Sequence, residues 1–267
     1  MTTSWRKYGQ LLKKRHRQEA GKFLVEGVRL CREALRSGWP VEVAFLSDSF
    51  LAGPHAEPFI DQLDHNGVPR RQLPDANLAR LCDTESPQGI VLAVQMPEDA
   101  LRMPAVRRQR LWVLVDGVRD PGNLGTLLRS ADWFGADAVL LSADCVDPFN
   151  PKVVRGSMGS IFHLRISQVE DLTAITRTLQ GKGVDIWAAT LDGQALLHDQ
   201  PVTAPVALLL GGEAEGVGGA LRGLANRRVR IWNCGQAESL NVAVAGAIFL
   251  NHLAAGLHHS KPSRTHG

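Results

Sequence analysis

A cluster of polar side chains precedes the most apolar helical segment of the chain. Glu238, Ser239 and Asn241 belong to the stretch NCGQAESLNVAVAGAIFL, which runs over residues 233–250. A serine at such a boundary is typical of a helix N-cap, and we expect Ser239 to cap the last helix. Carboxylate, hydroxyl and amide groups brought together in this way could also form one wall of a binding site.

A second set of polar residues follows a predicted strand that ends at Asp116. After a Pro-Gly turn, Asn123 stands where a helix N-cap is expected. Arg129 lies further along that helix, near the carboxyl end of the strand, where ligands bind in open α/β sheets. An exposed helix arginine is the alternative. Gly122 and Gly125 do not form G-x-G-x-x-G, so the spacing does not indicate a dinucleotide site.

A third candidate is the glycine-rich loop in ALLLGGEAEGVGG, which carries Glu213 and Glu215. Glycines after a strand indicate a close approach between backbone and ligand. The loop has no lysine of the kind that a phosphate cradle brings. Two carboxylates repel a triphosphate but tolerate a cationic ligand. A plain loop with acidic caps for the next helix is the alternative.

Apolar strands joined by helices must position these candidates, which predicts a parallel sheet covered on both faces. The predicted strands are 111–115, 137–142, 184–190, 206–210 and 228–232, and the predicted helices are 124–134, 151–160, 170–181, 218–226 and 240–257. Gly246 is costly inside a helix, by about 1 kcal/mol relative to alanine. We therefore expect either the neighbouring fold or another subunit to approach closely there.

The first 95 or so residues alternate strand and helix patterns and predict a separate small α/β unit. Its amino-terminal helical stretch is strongly basic, and its candidate phosphate-facing residues are Arg6, Lys7, Lys13, Lys14, Arg15 and Arg17. A solvated helix surface is the alternative to nucleic-acid binding. The segment 97–109 reads as a linker, and the polar residues 258–267 predict a disordered tail.

Composition is that of an ordinary globular protein, with 44% hydrophobic and 21% charged residues in 267 and a formal net charge of +3. The cysteines at 31, 82, 145 and 234 have no C-x-x-C spacing, so we expect reduced thiols in a cytoplasmic protein and no metal site. A mitochondrial transit peptide is the alternative for the basic start. No apolar run reaches the length of a membrane span.

The three candidate regions, in this order, resemble the SpoU/TrmH family of RNA ribose 2′-O-methyltransferases of the SPOUT class. The motifs are N-x-G-x-x-x-R at Asn123, Gly125 and Arg129, G-x-E-G at Gly211, Gly212 and Glu213, and S-L-N-V-[SA]-[VA]-A at residues 239–245. Ala214 replaces a usual glycine, and Trp232 replaces a usual proline. The stretches LLKKRHRQEAGKFLVEG and DTESPQGIVLAV also resemble the family's substrate-binding domain, which is similar to a ribosomal RNA-binding protein.

The resemblance implies an RNA substrate-binding domain at 1–96 and a methyltransferase domain at 110–257 with a trefoil knot, working as a homodimer. It implies S-adenosylmethionine as cofactor, with binding residues Thr190, Gly211, Gly212, Ile231, Asn233, Gly235, Ser239 and Leu240. The implied catalytic residues are Asn123, Arg129, Glu213, Ser239 and Asn241. Because the guanidinium group of arginine stays protonated in proteins, Arg129 is a poor literal base. We expect it to bind a phosphate and to stabilise the developing alkoxide.

The function that these features imply is methylation of a ribose 2′-hydroxyl in structured RNA, with 23S-type ribosomal RNA favoured. A transfer RNA substrate is the near alternative. A noncatalytic RNA-binding protein on the same scaffold is a second alternative, but the candidate catalytic residues are all present. A nucleotide-dependent oxidoreductase is a third, and the missing glycine fingerprint argues against it.

Overall fold

The computed structural model describes residues 4–97 and 111–259. The chain forms two compact units, Met1–Asp99 with Asp147–His163, and Ala100–Val146 with Leu164–Gly267. The predicted linker at 97–109 and the predicted tail at 258–267 fall almost wholly outside the described residues. Their character and the predicted domain boundaries therefore stay predictions.

The amino-terminal region forms a four-stranded sheet flanked by short helices. Its strands are β1 (Lys22–Glu26), β2 (Val41–Ser47), β3 (Arg70–Leu73) and β4 (Ile90–Gln95). Its helices are α1 (Arg6–Gly9), α2 (Lys14–Ala20), α3 (Val28–Arg36), α4 (Asp48–Leu51), α5 (Ala56–His65) and α6 (Asp75–Leu78). The strand order is β1-β4-β2-β3, with β4 antiparallel to both neighbours and β2 parallel to β3.

The remaining strands form one seven-stranded sheet. The strands are β5 (Leu111–Asp116), β6 (Ala138–Leu141), β7 (Arg165–Gln168), β8 (Asp185–Ala189), β9 (Ala195–Leu196), β10 (Val206–Gly211) and β11 (Arg227–Arg230). The helices are α7 (Pro121–Trp133), α8 (Pro151–Gly156), α9 (Leu172–Gly181), α10 (Gly219–Leu224) and α11 (Val242–His259). The order is β7-β6-β5-β10-β8-β11-β9, and every pairing is parallel.

Both faces of this sheet are covered, as the continuous apolar strands predict. On one face, Trp112 and Leu209 belong to a buried cluster that includes Leu179 of α9 and Leu221 of α10. On the other face, α7 and α11 pack together and α11 lies against β10. The parallel α/β architecture is thus confirmed, while the knot stays a prediction.

Gly246 shows what approaches the last helix closely. A Cβ atom at this position would lie 2.6 Å from Leu127 of α7 and 3.1 Å from Leu210 of β10. Any larger residue would push the helix away from its neighbours. The close approach at Gly246 therefore comes from the same fold and does not require another subunit.

Two short strands and the end of α8 are clear differences from the sequence prediction. The sequence does not predict β7 or β9, because β9 has only two residues and the four residues of β7 include three polar ones. The helix predicted over 151–160 ends at Gly156, since Met158 and Gly159 both have positive φ. That backbone conformation cannot continue a right-handed helix.

The segment 147–163 packs within the first compact unit. The Phe149 ring lies 4.9 Å from the Phe23 ring, measured between centroids. Arg155 forms ion pairs with Glu26 and with Asp83, the second at 2.8 Å. This segment is therefore part of the core around β1, although in sequence it interrupts the strands of the parallel sheet.

Candidate functional site

Asn123 lies in the first turn of α7, and it is not the N-cap. The cap is Asp120, whose carboxylate accepts a hydrogen bond of 2.8 Å from the backbone N–H of Asn123. Pro121 then occupies the first helical position, where its missing N–H costs nothing. The prediction of Asn123 as cap was wrong, because the side chain of Asp120 already caps this end of the helix. As a result, the Asn123 side chain is available for other contacts.

Asn123 bridges the two other motifs through its side-chain amide. Its Nδ2 donates to Oε1 of Glu213, which lies in the glycine-rich loop. Its Oδ1 accepts a hydrogen bond of 2.8 Å from Nδ2 of Asn241. Three residues from three separate motifs therefore form one chain of hydrogen bonds. All three were predicted as site residues from the sequence.

Asn241 is also the residue that caps α11. Its Oδ1 accepts from the backbone N–H of Ala243 at 2.9 Å and lies 3.4 Å from that of Val244. The prediction that Ser239 caps this helix was therefore wrong, because the helix begins two residues later than expected. Ser239 stays exposed in the preceding loop. One asparagine thus fixes the helix with its oxygen and the network with its nitrogen.

Asp116, at the end of β5, holds the glycine-rich loop in place. Its carbonyl oxygen accepts from the N–H of Gly212 at 2.7 Å, and its carboxylate accepts from the N–H of Gly218 at 2.8 Å. The sequence placed Asp116 only as a strand end and assigned it no role. An acidic residue at the carboxyl end of a central parallel strand is the signal that could have identified it.

The loop after β10 folds back on itself with no space for side chains at its start. A Cβ at Gly211 would lie 1.9 Å from the carbonyl carbon of Gly216, and one at Gly212 would lie 2.3 Å from the oxygen of Gly117. The N–H of Gly216 bonds to the oxygen of Gly212 at 2.9 Å. These glycines are required so that the loop can present Glu213 to Asn123.

The turn after β5 is fixed from the neighbouring strand. The hydroxyl of Ser142, which follows β6, accepts from the N–H of Gly117 at 2.9 Å and donates to Asp144 at 2.5 Å. The Ser142 hydroxyl holds the pKa of the Asp144 carboxyl below its usual range. This carboxylate therefore stays a reliable acceptor for Ser142, which in turn positions the turn that contacts Gly212.

Three of the predicted cofactor residues lie at the carboxyl ends of adjacent strands. Thr190 follows β8, Gly211 ends β10 and Ile231 follows β11, and β8 lies between the other two. The Thr190 hydroxyl oxygen is buried and has no hydrogen-bond partner among the described residues. A buried hydroxyl without a partner is costly. This strand edge therefore offers a polar group to a ligand that binds there.

The loop that joins β11 to α11 is exposed and held by its own contacts. Asn233 accepts from the N–H of Gly235 at 2.8 Å and donates to the oxygen of Ala237 at 3.0 Å. Leu240, at the end of the loop, has 47% of its surface exposed. An apolar side chain open to solvent at such an edge could contact the flat face of a heterocycle.

Arg129 lies on the exposed face of α7 and makes no ion pair or side-chain hydrogen bond within the described part of the chain. Trp133, one turn later, is 83% exposed. The sequence identified Arg129 but did not single out Trp133. A cation and an aromatic ring, both open to solvent, stand four residues apart on the same helix face.

Most of the predicted basic residues are exposed, namely Arg6, Lys7, Lys13, Lys14 and Arg15. Arg17 is different because only 1% of its surface is exposed. Its Nε donates to Asp147 at 2.9 Å, and its Nη1 donates to the oxygens of Leu11 and Leu12. The predicted contact between Arg17 and RNA does not fit this burial. Its guanidinium serves the fold of the first unit.

Neither a metal centre nor a membrane-spanning helix is present within residues 4–97 and 111–259. No group of histidine, cysteine, aspartate and glutamate side chains there could hold a metal ion. Within the same ranges, no helix has the length and apolar character to cross a membrane.

Comparison with known proteins matches both parts of the chain. Residues 110–251 match the model of the SpoU rRNA methylase family, and residues 5–92 match that of the MRM3-like substrate binding domain. The chain is 36% identical to the 23S rRNA (guanosine(2553)-2′-O)-methyltransferase RlmP of Bacillus subtilis, over 93% of this chain and 94% of the relative. It is 32% identical to a 23S rRNA (uridine(2479)-2′-O)-methyltransferase of Streptomyces viridochromogenes, over 88% and 83% of the two chains.

A similar solved structure is that of the SpoU methyltransferase AviRb from Streptomyces viridochromogenes in complex with the cofactor AdoMet. It has a TM-score of 0.86 and 29% sequence identity, and the match covers 97% of this chain and 99% of that one. An AdoMet-bound rRNA methyltransferase from Sinorhizobium meliloti has a TM-score of 0.80 and 30% identity, with coverage of 94% of both chains.

Proposed function

The chain belongs to the SpoU rRNA methylase family, and we propose that it transfers a methyl group from S-adenosylmethionine to a ribose 2′-hydroxyl in 23S-type ribosomal RNA. The observation that carries the proposal is the hydrogen-bonded chain of Glu213, Asn123 and Asn241. It joins the three motifs at the strand edge where ligands of α/β sheets bind. The names of two relatives give 23S ribosomal RNA as their substrate, which supports the choice of RNA.

The groups at the carboxyl ends of β8, β10 and β11 suit the chemistry of S-adenosylmethionine. Gly211 and Ile231 offer backbone groups, Thr190 offers its unpartnered hydroxyl, and Leu240 offers an exposed apolar contact. The exposed carboxylate of Glu213 favours a cationic sulfonium over an anionic phosphate ligand. Gly212, Asn233, Gly235 and Ser239 complete the predicted set around these loops. When bound, the cofactor supplies an electrophilic methyl group.

The reaction forms a bond between the ribose 2′-oxygen and the methyl carbon, breaks the bond from that carbon to sulfur, and releases the hydroxyl proton. Arg129 binds a phosphate beside the target ribose and stabilises the alkoxide that develops on the 2′-oxygen, since its forked guanidinium suits oxyanions. Glu213 is the only member of the network that can accept a proton. Asn123 holds that carboxylate through Oε1, and we assign the proton to Oε2.

A direct experiment uses purified protein, S-adenosylmethionine and unmodified 23S-type ribosomal RNA, followed by mapping of ribose methylation by resistance to alkaline cleavage. One methylated 2′-position in ribosomal RNA is expected. Methylation of transfer RNA and not of ribosomal RNA would contradict the proposed substrate and favour the transfer RNA alternative. Binding of RNA without cofactor binding in calorimetry would identify a noncatalytic protein.

We further expect a homodimer in the cytoplasm. Val244 and Ile248 lie four residues apart on α11 and are 49% and 39% exposed. Apolar side chains at this spacing form a stripe that a second copy of the chain can cover. A Val244→Glu, Ile248→Glu variant should elute as a monomer in light scattering, and an unchanged mass would contradict the dimer surface.

A further inference from the structure

We propose that a groove along α3, in the first compact unit, binds the sugar–phosphate backbone of the RNA substrate. The inference rests on the proposed function and names the surface by which that substrate docks. The groove has a volume of about 710 Å³. Its polar lining comes from Arg29, Arg32, Glu33, Arg36, His55 and Gln88. None of these residues belongs to the basic stretch that the sequence singled out.

The three arginines lie on one face of α3. Arg29, Arg32 and Arg36 follow the spacing i, i+3 and i+7, which places them in a row over two helical turns. At 1.5 Å per residue, the row extends about 10.5 Å along the helix axis. A row of this length reaches more than one phosphate of a polynucleotide, whereas a single small anion would need only one arginine.

The arginines have donors to spare. Arg29 is exposed, and no described residue forms an ion pair or side-chain hydrogen bond with it. Arg36 pairs with Glu33 at 3.3 Å, but its side chain is 68% exposed, so this pair contributes little. Glu33 is the only acidic residue in the lining, and the groove keeps a net positive charge. Phosphate oxygens would accept hydrogen bonds from the guanidinium N–H groups that have no partner in the protein.

The rim of the groove is fixed before any ligand binds. The side-chain oxygen of Gln88 accepts a hydrogen bond of 2.9 Å from the N–H of Val28, at the start of α3. Gly27 has a φ of +92°, and its lack of a side chain lets Gln88 approach. A Cβ atom at this position would lie only 3.2 Å from the Gln88 oxygen. Because the oxygen is engaged, the exposed amide nitrogen of Gln88 remains a donor beside the arginines.

The floor is apolar and well packed. Phe50 is 7% exposed, and its ring lies 6.0 Å from that of Phe59 in an edge-on arrangement. A buried ring cannot serve as an open platform on which a base stacks. The groove therefore recognises backbone charge and not base identity, and positions RNA without selecting its sequence.

The test compares full-length variants by RNA affinity as a function of salt. The probe is protein-free, end-labelled 23S-type ribosomal RNA, titrated over a range of KCl concentrations. The variant is Arg29→Ala with Arg36→Ala, because both side chains are exposed and their removal should not unfold the unit. The matched control is Arg80→Ala, an exposed arginine of the same unit outside the groove. Arg32→Ala is added with a thermal unfolding check.

We expect the double variant to bind RNA about tenfold more weakly at moderate salt. Its plot of log affinity against log salt should be less steep by roughly 0.7 to 0.9 for each lost phosphate contact. Arg80→Ala should match the wild type. Equal slopes for the double variant, Arg80→Ala and the wild type would overturn the proposal. So would displacement of RNA by millimolar inorganic phosphate at constant ionic strength, which indicates a site for a small anion.

Calorimetry with S-adenosylmethionine separates this inference from the proposed function. The double variant should bind the cofactor as the wild type does, because no groove residue lies in the second compact unit. A wild type that binds RNA through the groove but methylates none would refute the function alone. A wild type that methylates RNA with an unaltered slope in the double variant would refute the groove alone.

Discussion

The side-chain nitrogen of Asn241 donates to the side-chain oxygen of Asn123 at 2.8 Å, although 118 residues separate them. The same Asn241 caps α11 with its oxygen. This hydrogen bond connects the start of α11 to the first turn of α7. Glu213 joins them through Asn123, so a change in any one residue affects the position of the other two.

Asn241→Asp should separate the two roles of this residue. Aspartate caps helices about as well as asparagine, so unfolding free energy should change little. It cannot donate to Asn123, so methyl transfer should fall by at least tenfold. Asn241→Ala should lose about 1 kcal/mol of stability as well. Urea unfolding measures the effect on stability, and single-turnover methylation measures the effect on activity. Full activity in Asn241→Asp would show that the hydrogen bond to Asn123 is not needed for catalysis.

Glu213→Gln should distinguish a proton acceptor from a spacer. Glutamine keeps an oxygen that can accept from Asn123 but loses the carboxylate charge. If Glu213 takes the hydroxyl proton, kcat should drop by about 10² or more. Cofactor affinity, measured in parallel, reports the loss of the negative charge. A variant with unchanged kcat would show that Glu213 only shapes the loop.

Arg129→Ala should lower kcat by about 10² to 10³, the usual effect of removing one group that stabilises a developing oxyanion. Thermal stability should stay within the range of neutral surface changes, because Arg129 is exposed and unpaired within the described residues. Arg129→Lys keeps the charge without the fork and should recover part of the rate. Near wild-type activity in Arg129→Ala would contradict the assigned role.

Gly212→Ala should abolish cofactor binding while most of the fold persists. Its Cβ would lie 2.3 Å from the backbone oxygen of Gly117, so the loop must move away from Asp116. Gly223→Ala in α10 is the matched control, since a Cβ there meets nothing within 4 Å and alanine favours a helix. Calorimetric titration with S-adenosylmethionine should give no heat for the first variant and normal heat for the second.

Arg17→Met should destabilise the protein by about 3 to 5 kcal/mol, because it leaves Asp147 as a largely buried charge without its partner. Lys14→Ala, three residues earlier and exposed, should stay within about 0.5 kcal/mol of the wild type. Adding Asp147→Asn to Arg17→Met should recover part of the loss. Equal urea midpoints for Arg17→Met and Lys14→Ala would show that the buried pair contributes nothing.

The sequence predicts β5, β6, β8 and β10 well because each contains an apolar run between turn residues, but it misses the short strands β7 and β9. It also identifies Asn123, Glu213 and Asn241, since their motifs fall at strand ends. It does not decide which of two neighbouring polar residues caps a helix, as with Asp120 and Asn123. Both can accept a backbone hydrogen bond, and only tertiary contacts decide which one is engaged elsewhere.

Contacts between residues far apart in the chain are also hard to predict from the sequence. Arg17 looks like its exposed neighbours Lys14 and Arg15, because nothing local reports Asp147, 130 residues away. The groove along α3 was missed for a similar reason. Its arginines are spread over a helix with an apolar face, and the contribution of Gln88 comes from 60 residues further on.

The membership of residues 147–163 in the first compact unit also bears on the time course of synthesis. A ribosome that has completed β1 to β4 has not yet made Asp147, Phe149 or Arg155. Until they emerge, Arg17 stays without its counter-ion and the Phe23 ring stays without its contact to Phe149. At roughly 5–20 residues per second, this interval lasts several seconds. The first compact unit can therefore complete its folding only after residues 147–163 have been synthesised.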